Sequence, residues 1–198
     1  MGGMSVASKV RNMDLQLVHH RFSLEQYEEM IEHGILDSDD RVELLAGEIV
    51  EEMGEGSRHM SSVARLNRYF VTALGHRAIL LPHGPIALPP DSMPELDITL
   101  AVEREDFYSS RRPLASDVLL LVEVSDSSLQ KHRTLKLRIY AEAGISEYWI
   151  VNLVDNVIEV YAGPVDGRYA SPRTLRPGET IAPAAFPDVA MRVSDIIP

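Results

Sequence analysis

The sequence predicts an α/β protein in which a central mixed β-sheet is flanked by helices and carries extra β-hairpins. Three observations predict it. Stretches of strand length and stretches with an apolar residue every three or four positions alternate in the order helix, strands, helix, strands, helix, strands. Residues 118–151 read strand, helix, strand, a βαβ-like centre for which a right-handed crossover is expected. Glycines and an Asp-Asn pair punctuate the segments where helices should stop or hairpins turn.

The elements follow in chain order. Residues 1–20 are expected to form a flexible tail, and 21–198 a single domain. In RFSLEQYEEMIEHGIL, Ser23 and Gln26 have the spacing of a capping box, and Phe22 and Tyr27 that of a hydrophobic staple. That predicts a helix from Leu24 to His33, stopped by Gly34. RVELLAGEIVEEM is two short apolar stretches about Ala46-Gly47, hence a hairpin. SRHMSSVARLNRYFVTALG predicts an amphipathic helix with Met60, Val63, Phe70, Val71 and Leu74 inward, ending on Gly75. AILL, GPIAL, DITLAV and DVLLLVEVS read as successive strands. LQKHRTLKLRIYAEAG is a helix with Leu135, Ile139 and Ala143 on one face and Gly144 as its stop. EYWIV and VIEVYA form a hairpin about Asp155-Asn156, and short strands follow in RTL and ETI.

Composition narrows the class. Apolar residues are 45% and charged residues 25% of the chain, a globular profile with no run of about 18 apolar residues that would span a membrane. The first twenty residues lack the apolar core of a signal peptide, so the default location is cytoplasmic. With no cysteine, disulfides and thiolate metal sites are excluded. The net charge of −11 argues against tight, nonspecific nucleic-acid binding by a bare monomer. It leaves room for a local basic groove, or for a site whose metal supplies positive charge.

Three acids stand in strand contexts: Glu43 in RVELLAG, Asp97 in PELDITLA and Glu123 in LLLVEVS. A carboxylate in an apolar strand is costly unless a positive group meets it. The strands of Asp97 and Glu123 are joined by one loop, and strands so joined often pair, which would set the two carboxylates side by side. Such a pair repels unless one is protonated or a cation joins them. Hard oxygen donors favour Mg²⁺ or Mn²⁺. The next helix supplies a cation, since His132, Lys136 and Tyr140 are spaced by four and line one stripe. Arg133 is an alternative cation on the same helix. Each feature also has a plainer reading: a solvated strand-end acid, an exposed lysine, a surface histidine at His59, a hairpin-stabilising Glu43.

The segments MPELDITLA, DVLLLVEVSDSS, LKLRIYAEAGISEYWIVN and VIEVY, in that order, resemble the prokaryotic restriction-endonuclease-like family of the PD-(D/E)XK nuclease superfamily. The likeness extends upstream through RFSLEQYEEM, RVELLAGEIVEEM and SRHM, and so covers about residues 21–197. The resemblance implies a restriction-endonuclease-like core. It implies Asp97, Glu123, Lys136, Glu43 and His59 as catalytic residues and Asp97, Glu123 and Val124 as the place of a metal, Mg²⁺ or Mn²⁺. Gly47, Tyr140, Gly144 and Trp149 match framework positions. Leu96 stands where the superfamily name has proline, and Ser125 where it has lysine; the family carries that lysine on the helix, which makes Lys136 the counterpart.

The function so implied is a metal-dependent DNA endonuclease, acting as a homodimer with EYWIV–VIEVY as one candidate interface, a hairpin that could equally be core. The alternatives are an inactive binding or regulatory module on the same fold, and a metal-dependent hydrolase of a substrate other than DNA.

Overall fold

The computed structural model describes residues 19–37, 39–52 and 54–198. The expected tail at 1–20 lies outside the described residues except for His19 and His20. The element order is α1 (Leu24–Glu32), β1 (Val42–Leu45), β2 (Glu48–Glu51), α2 (Ser57–Leu74), β3 (Ile79–Pro85), β4 (Glu95–Ala101) and β5 (Val118–Ser125). There follows α3, a continuous helix in three stretches: Leu129–Lys131, a π-helical His132–Lys136, and Leu137–Glu142. Then come β6 (Glu147–Asn152), β7 (Val157–Ala162), β8 (Arg173–Leu175), β9 (Thr180–Ile181), β10 (Met191–Arg192) and α4 (Val193–Ile196).

The main sheet has the strand order β3-β4-β5-β6-β7-β8. It is mixed, as expected: β5 and β6 are parallel, joined through α3, and the other neighbours are antiparallel. Helices α2 and α3 lie on its two faces. On one, Val63, Leu66, Phe70 and Leu74 of α2 pack with Leu120, Val122, Val124, Trp149 and Val151. On the other, Ile139 and Tyr140 of α3 pack with Leu121, Tyr148, Ile150 and Tyr161. The alternation along β5 is the period of two that a pleated strand imposes. It leaves Glu123 on the α3 face, two residues beyond Leu121.

Local chemistry accounts for the element ends. The α1 capping box forms in full, with Ser23 Oγ accepting from Gln26 N–H at 3.2 Å and Gln26 Oε1 accepting from Ser23 N–H at 2.9 Å. Phe22 and Tyr27 join one apolar cluster, as the staple requires. The β1–β2 hairpin turns through Ala46 (φ 49°) and Gly47 (φ 80°), the two positive φ values of a type I′ turn. At Gly47 a side chain is also shut out, because a Cβ there would stand 2.8 Å from Arg21 Cβ. Main-chain bonds between Leu44 and Met93 dock this hairpin beside the start of β4.

Four expectations need correction. AILL and the Gly84-Pro85 of GPIAL belong to one strand, β3, which runs on through a left-handed His83 (φ 48°) with no shift of register rather than breaking at Pro82-His83; Ile86, Ala87 and Leu88 then leave the sheet. Met60 and Val71 face outward, 61% and 59% exposed, because the buried stripe of α2 runs through His59, Ser62, Val63, Leu66, Phe70 and Leu74. The β6–β7 hairpin is no docking surface: β6 is enclosed between β5 and β7, and Tyr148, Trp149, Ile150 and Val151 are each 0% exposed. Finally, α3 is not a regular α-helix, for reasons that the site makes plain.

Candidate active site

The β4–β5 ladder ends at Ile98 opposite Val122. Asp97 and Glu123 are the next residues, where side chains replace the ladder. Asp97 Oδ2 accepts from Val124 N–H at 2.7 Å, a bond that a strand partner would otherwise supply. The same oxygen is 3.1 Å from His59 Nε2, brought in by the first turn of α2. Among the described residues, Asp97 Oδ1 has no hydrogen-bond partner.

Glu123 is answered from α3. Its Oε1 accepts from Lys136 Nζ at 2.8 Å and from Tyr140 Oη at 3.1 Å, and His132 Nε2 lies 3.7 Å from Oε2. The stripe His132, Lys136, Tyr140 read from the sequence does converge on this acid. Ser125, which takes the place of the superfamily's lysine, shares a hydrogen bond with His132 Nδ1. Burial, with Lys136 and Lys131 close by, drives the His132 pKa well down, so the ring is neutral. Neutral His132 accepts from Ser125 at Nδ1 and turns its Nε2–H toward Glu123.

Glu43 closes the cluster from β1. Lys136 Nζ is 2.8 Å from Glu43 Oε2, Lys131 Nζ is 2.7 Å from Glu43 Oε1, and Glu95 N–H donates to Oε2 at 3.1 Å. Lys131 was missed as a site residue, and the π-helical segment explains why. In a regular α-helix, residues five apart point about 140° away from each other. A π-helix closes its turn on the fifth residue. Lys131 and Lys136 thereby share a face and grip one carboxylate. The period-four reading found His132, Lys136 and Tyr140, and a five-residue lysine spacing was the signal for the other cation. Arg133, the alternative cation, points elsewhere, to Glu159 and Asp155.

The charges sort themselves. Burial works to raise the Glu43 pKa, but Lys136 and Lys131 overcome it and hold this carboxyl below its ordinary value. Burial works to lower Lys136, but Glu123 and Glu43 overcome it and hold its proton on. Glu123 is pushed up to about 7, first by burial, against the pull of Lys136. Lys136 therefore stays charged against an ionised Glu43, and Glu123 is the member that titrates near neutrality. Glu95 is also raised to about 7, by burial and then by Glu52 and Glu43. Lys131 thus joins Lys136 in compensating the acid cluster.

A stability prediction follows from Glu95. Between its ordinary value of 4.5 and about 7 the folded chain holds a proton that the unfolded chain has shed. A raised carboxyl stabilises below the unfolded value and loses that contribution as pH climbs to the folded one. Glu95→Gln removes this penalty. In EDTA the melting temperature of the variant relative to native should therefore rise from pH 5 to pH 7.5. A difference that stays flat or falls would show that Glu95 does not titrate in this window.

Glu43, His59, Glu95, Asp97, Glu123, Lys131, His132 and Lys136 line one cleft of about 360 Å³, whose walls carry seven carboxylates against two lysines, Lys131 and Lys136. The cleft also collects three residues that sequence reasoning did not single out as site residues: Glu55, His83 and Glu95. Glu55 and His83 come from the β2–α2 connection and the middle of β3, segments whose meeting no local spacing announces.

A family model described as Uma2, putative restriction endonuclease, matches residues 24–194. The chain belongs to that family. Its resemblance to restriction-endonuclease-like proteins, drawn from the strand and helix motifs, is thus borne out, and the family supports a nuclease. The fold agrees. The crystal structure of a putative nuclease belonging to DUF820 from Anabaena variabilis superposes with a TM-score of 0.72 at 11% identity, over 88% of this chain and 97% of that one. The type IIG restriction endonuclease BpuSI aligns over 53% of this chain and 11% of its own, at 22% identity and a TM-score of 0.36, too partial to bear on the fold. No curated protein matches the chain in sequence. Among the described residues no helix is long and apolar enough to cross a membrane.

Proposed function

We propose that the chain is a metal-dependent DNA endonuclease that hydrolyses phosphodiester bonds with Mg²⁺ or Mn²⁺ at Asp97 and Glu123. The observation that carries this reading is the pair of buried carboxylates at the parting of β4 and β5, with a charged, buried lysine between one of them and Glu43. The donor set fits a hard divalent ion. Asp97 Oδ1 and Glu123 Oε2 are the oxygens without a hydrogen bond among the described residues, and Val124 adjoins both. When bound, such an ion lowers the pKa of a water and neutralises phosphate charge.

The chain's own residues do the rest. His59 and the Val124 N–H fix Asp97 through Oδ2, which leaves Oδ1 toward the cleft. Tyr140 and His132 fix Glu123 from both sides. Glu95 carbonyl oxygen, Glu43 and Glu123 hold the Lys136 ammonium, the first at 2.6 Å. So held, Lys136 is preorganised to stabilise charge on a phosphoryl oxygen or to orient an attacking water, with no reorganisation at the moment of reaction. Cutting both strands of a duplex takes two such sites or two visits by one, and a C₂ pair is the commonest way to bring two sites together. That interface would lie elsewhere than on β6–β7.

One observation favours a second reading. The excess of carboxylates in the cleft repels a long polyanion and tolerates a small one. The second reading is a hydrolase of small phosphodiesters in place of DNA. Native protein should nick supercoiled plasmid at concentrations where it leaves bis(p-nitrophenyl) phosphate nearly intact. The reverse preference would select the second reading.

A further inference from the structure

We propose that Glu55, His83 and Asp97 hold a second divalent cation, of the class that accepts imidazole as well as carboxylate. The three residues come from the β2–α2 connection, β3 and β4. One ligand atom from each lies within 4.8 Å of the others. The β3–β4 pairing places His83 there: Pro82 stands opposite Ile98 and Gly84 opposite Leu96, so His83 between them stands opposite Asp97. Its Nδ1 is 3.9 Å from Glu55 Oε1.

An independent observation points to a cation in this place. His59 is 8% exposed, and its Nδ1 is buried without a hydrogen-bond partner. Its other nitrogen, Nε2, faces Asp97 Oδ2 at 3.1 Å, an oxygen that already accepts from Val124 N–H. A carboxylate oxygen only accepts, so Nε2 carries the proton. In the neutral ring Nδ1 then presents a lone pair, and it presents it to Glu55 Oε2, 3.5 Å away. A lone pair facing a carboxylate is repulsive unless something positive joins them. That positive group is either a proton on His59 or a cation shared with Glu55.

The donor chemistry separates this cation from the first. Asp97 and Glu123 offer hard oxygens alone, which suit Mg²⁺. Glu55, His83 and Asp97 add an imidazole, which suits Mn²⁺ or Zn²⁺ and gives Mg²⁺ little. The proposal shares Asp97 with the metal-nuclease reading but does not require that reading to be right.

Equilibrium dialysis of the full chain against Mn²⁺, with and without excess Mg²⁺, tests it. Native protein should hold two Mn²⁺ per chain, one of which survives excess Mg²⁺. The side chains of His83 and Glu55 are 54% and 33% exposed, so His83→Gln and Glu55→Gln should fold, with apo melting temperatures near native. Each should lose the Mg²⁺-resistant Mn²⁺ and keep the other. Outer partners of a metal site are worth about 10–100-fold in affinity, and loss of a direct ligand should exceed that. Glu123→Gln should do the reverse, keeping the resistant ion and losing the displaceable one. If native protein holds no Mg²⁺-resistant Mn²⁺, or if His83→Gln and Glu55→Gln retain it, the site is wrong and a proton on His59 is what meets Glu55. If native holds only the resistant ion and Glu123→Gln changes nothing, this site stands and the metal-nuclease reading falls.

Discussion

Lys136→Met should lower the unfolding free energy by about 3–5 kcal/mol and cut turnover on DNA by about 10²–10³-fold. The stability loss follows from burial. Lys136 is 2% exposed, and its ammonium sits between Glu43 and Glu123 with the Glu95 carbonyl as third acceptor. Methionine keeps the length of the side chain and removes the charge, so two carboxylates stay in the interior without it. The loss should fall toward the lower figure, because Lys131 still meets Glu43 and Glu123 can take a proton, its pKa already near 7. Trp149, the one tryptophan of the chain, is fully buried and reports unfolding by fluorescence in urea. In kinetics the loss should appear in kcat with KM little changed, the pattern of a contact made in the transition state. Lys131→Met should cost less on both counts, since Lys131 touches Glu43 alone. Unchanged turnover in Lys136→Met, with Lys131→Met inactive, would transfer the catalytic charge to Lys131.

Asp97→Asn and Glu123→Gln should abolish cleavage and remove most of the thermal response to divalent metal. A cation that binds only the folded chain stabilises it by about 2.7 kcal/mol at a hundredfold excess over its Kd. For a chain of this size that is a rise of about 5–10 °C in melting temperature. In EDTA, Glu123→Gln should melt close to native, because a glutamine resembles the protonated acid that burial already favours there and still accepts from Lys136 and Tyr140. Asp97→Asn should melt somewhat lower, since an uncharged amide is a weaker acceptor for both the Val124 N–H and His59 Nε2 that Asp97 Oδ2 holds. A steep loss of apo stability in Glu123→Gln would mean that this carboxylate serves the fold as the ionised partner of Lys136.

Much of this site was legible in the sequence because its parts are local. Ser23 and Gln26 announce α1, Ala46-Gly47 the hairpin that carries Glu43, and the paired apolar strands the adjacency of Asp97 and Glu123. The stripe of His132, Lys136 and Tyr140 follows from a period near four, which the helix keeps on that face. What was not legible depends on geometry that a period cannot carry. The π-helical turn adds Lys131 to the lysine already found. The β3–β4 register sets His83, itself in a left-handed conformation, opposite Asp97, and Glu55 reaches the same place from a connection without apolar pattern. Trp149 and its neighbours read equally as surface or core until the strand order put β6 between β5 and β7. The outward positions of Met60 and Val71 show the same limit, since an apolar count does not say which stripe of α2 the sheet will cover.

The most direct measurement is nicking of supercoiled plasmid by native protein and by Glu123→Gln, side by side, in Mg²⁺, in Mn²⁺ and in EDTA. Native protein should nick in either metal and stop in EDTA, and Glu123→Gln should be inactive in all three while folding as native does. Cleavage that persists in EDTA, or that survives Glu123→Gln in metal, would contradict a metal-dependent site built on Asp97 and Glu123.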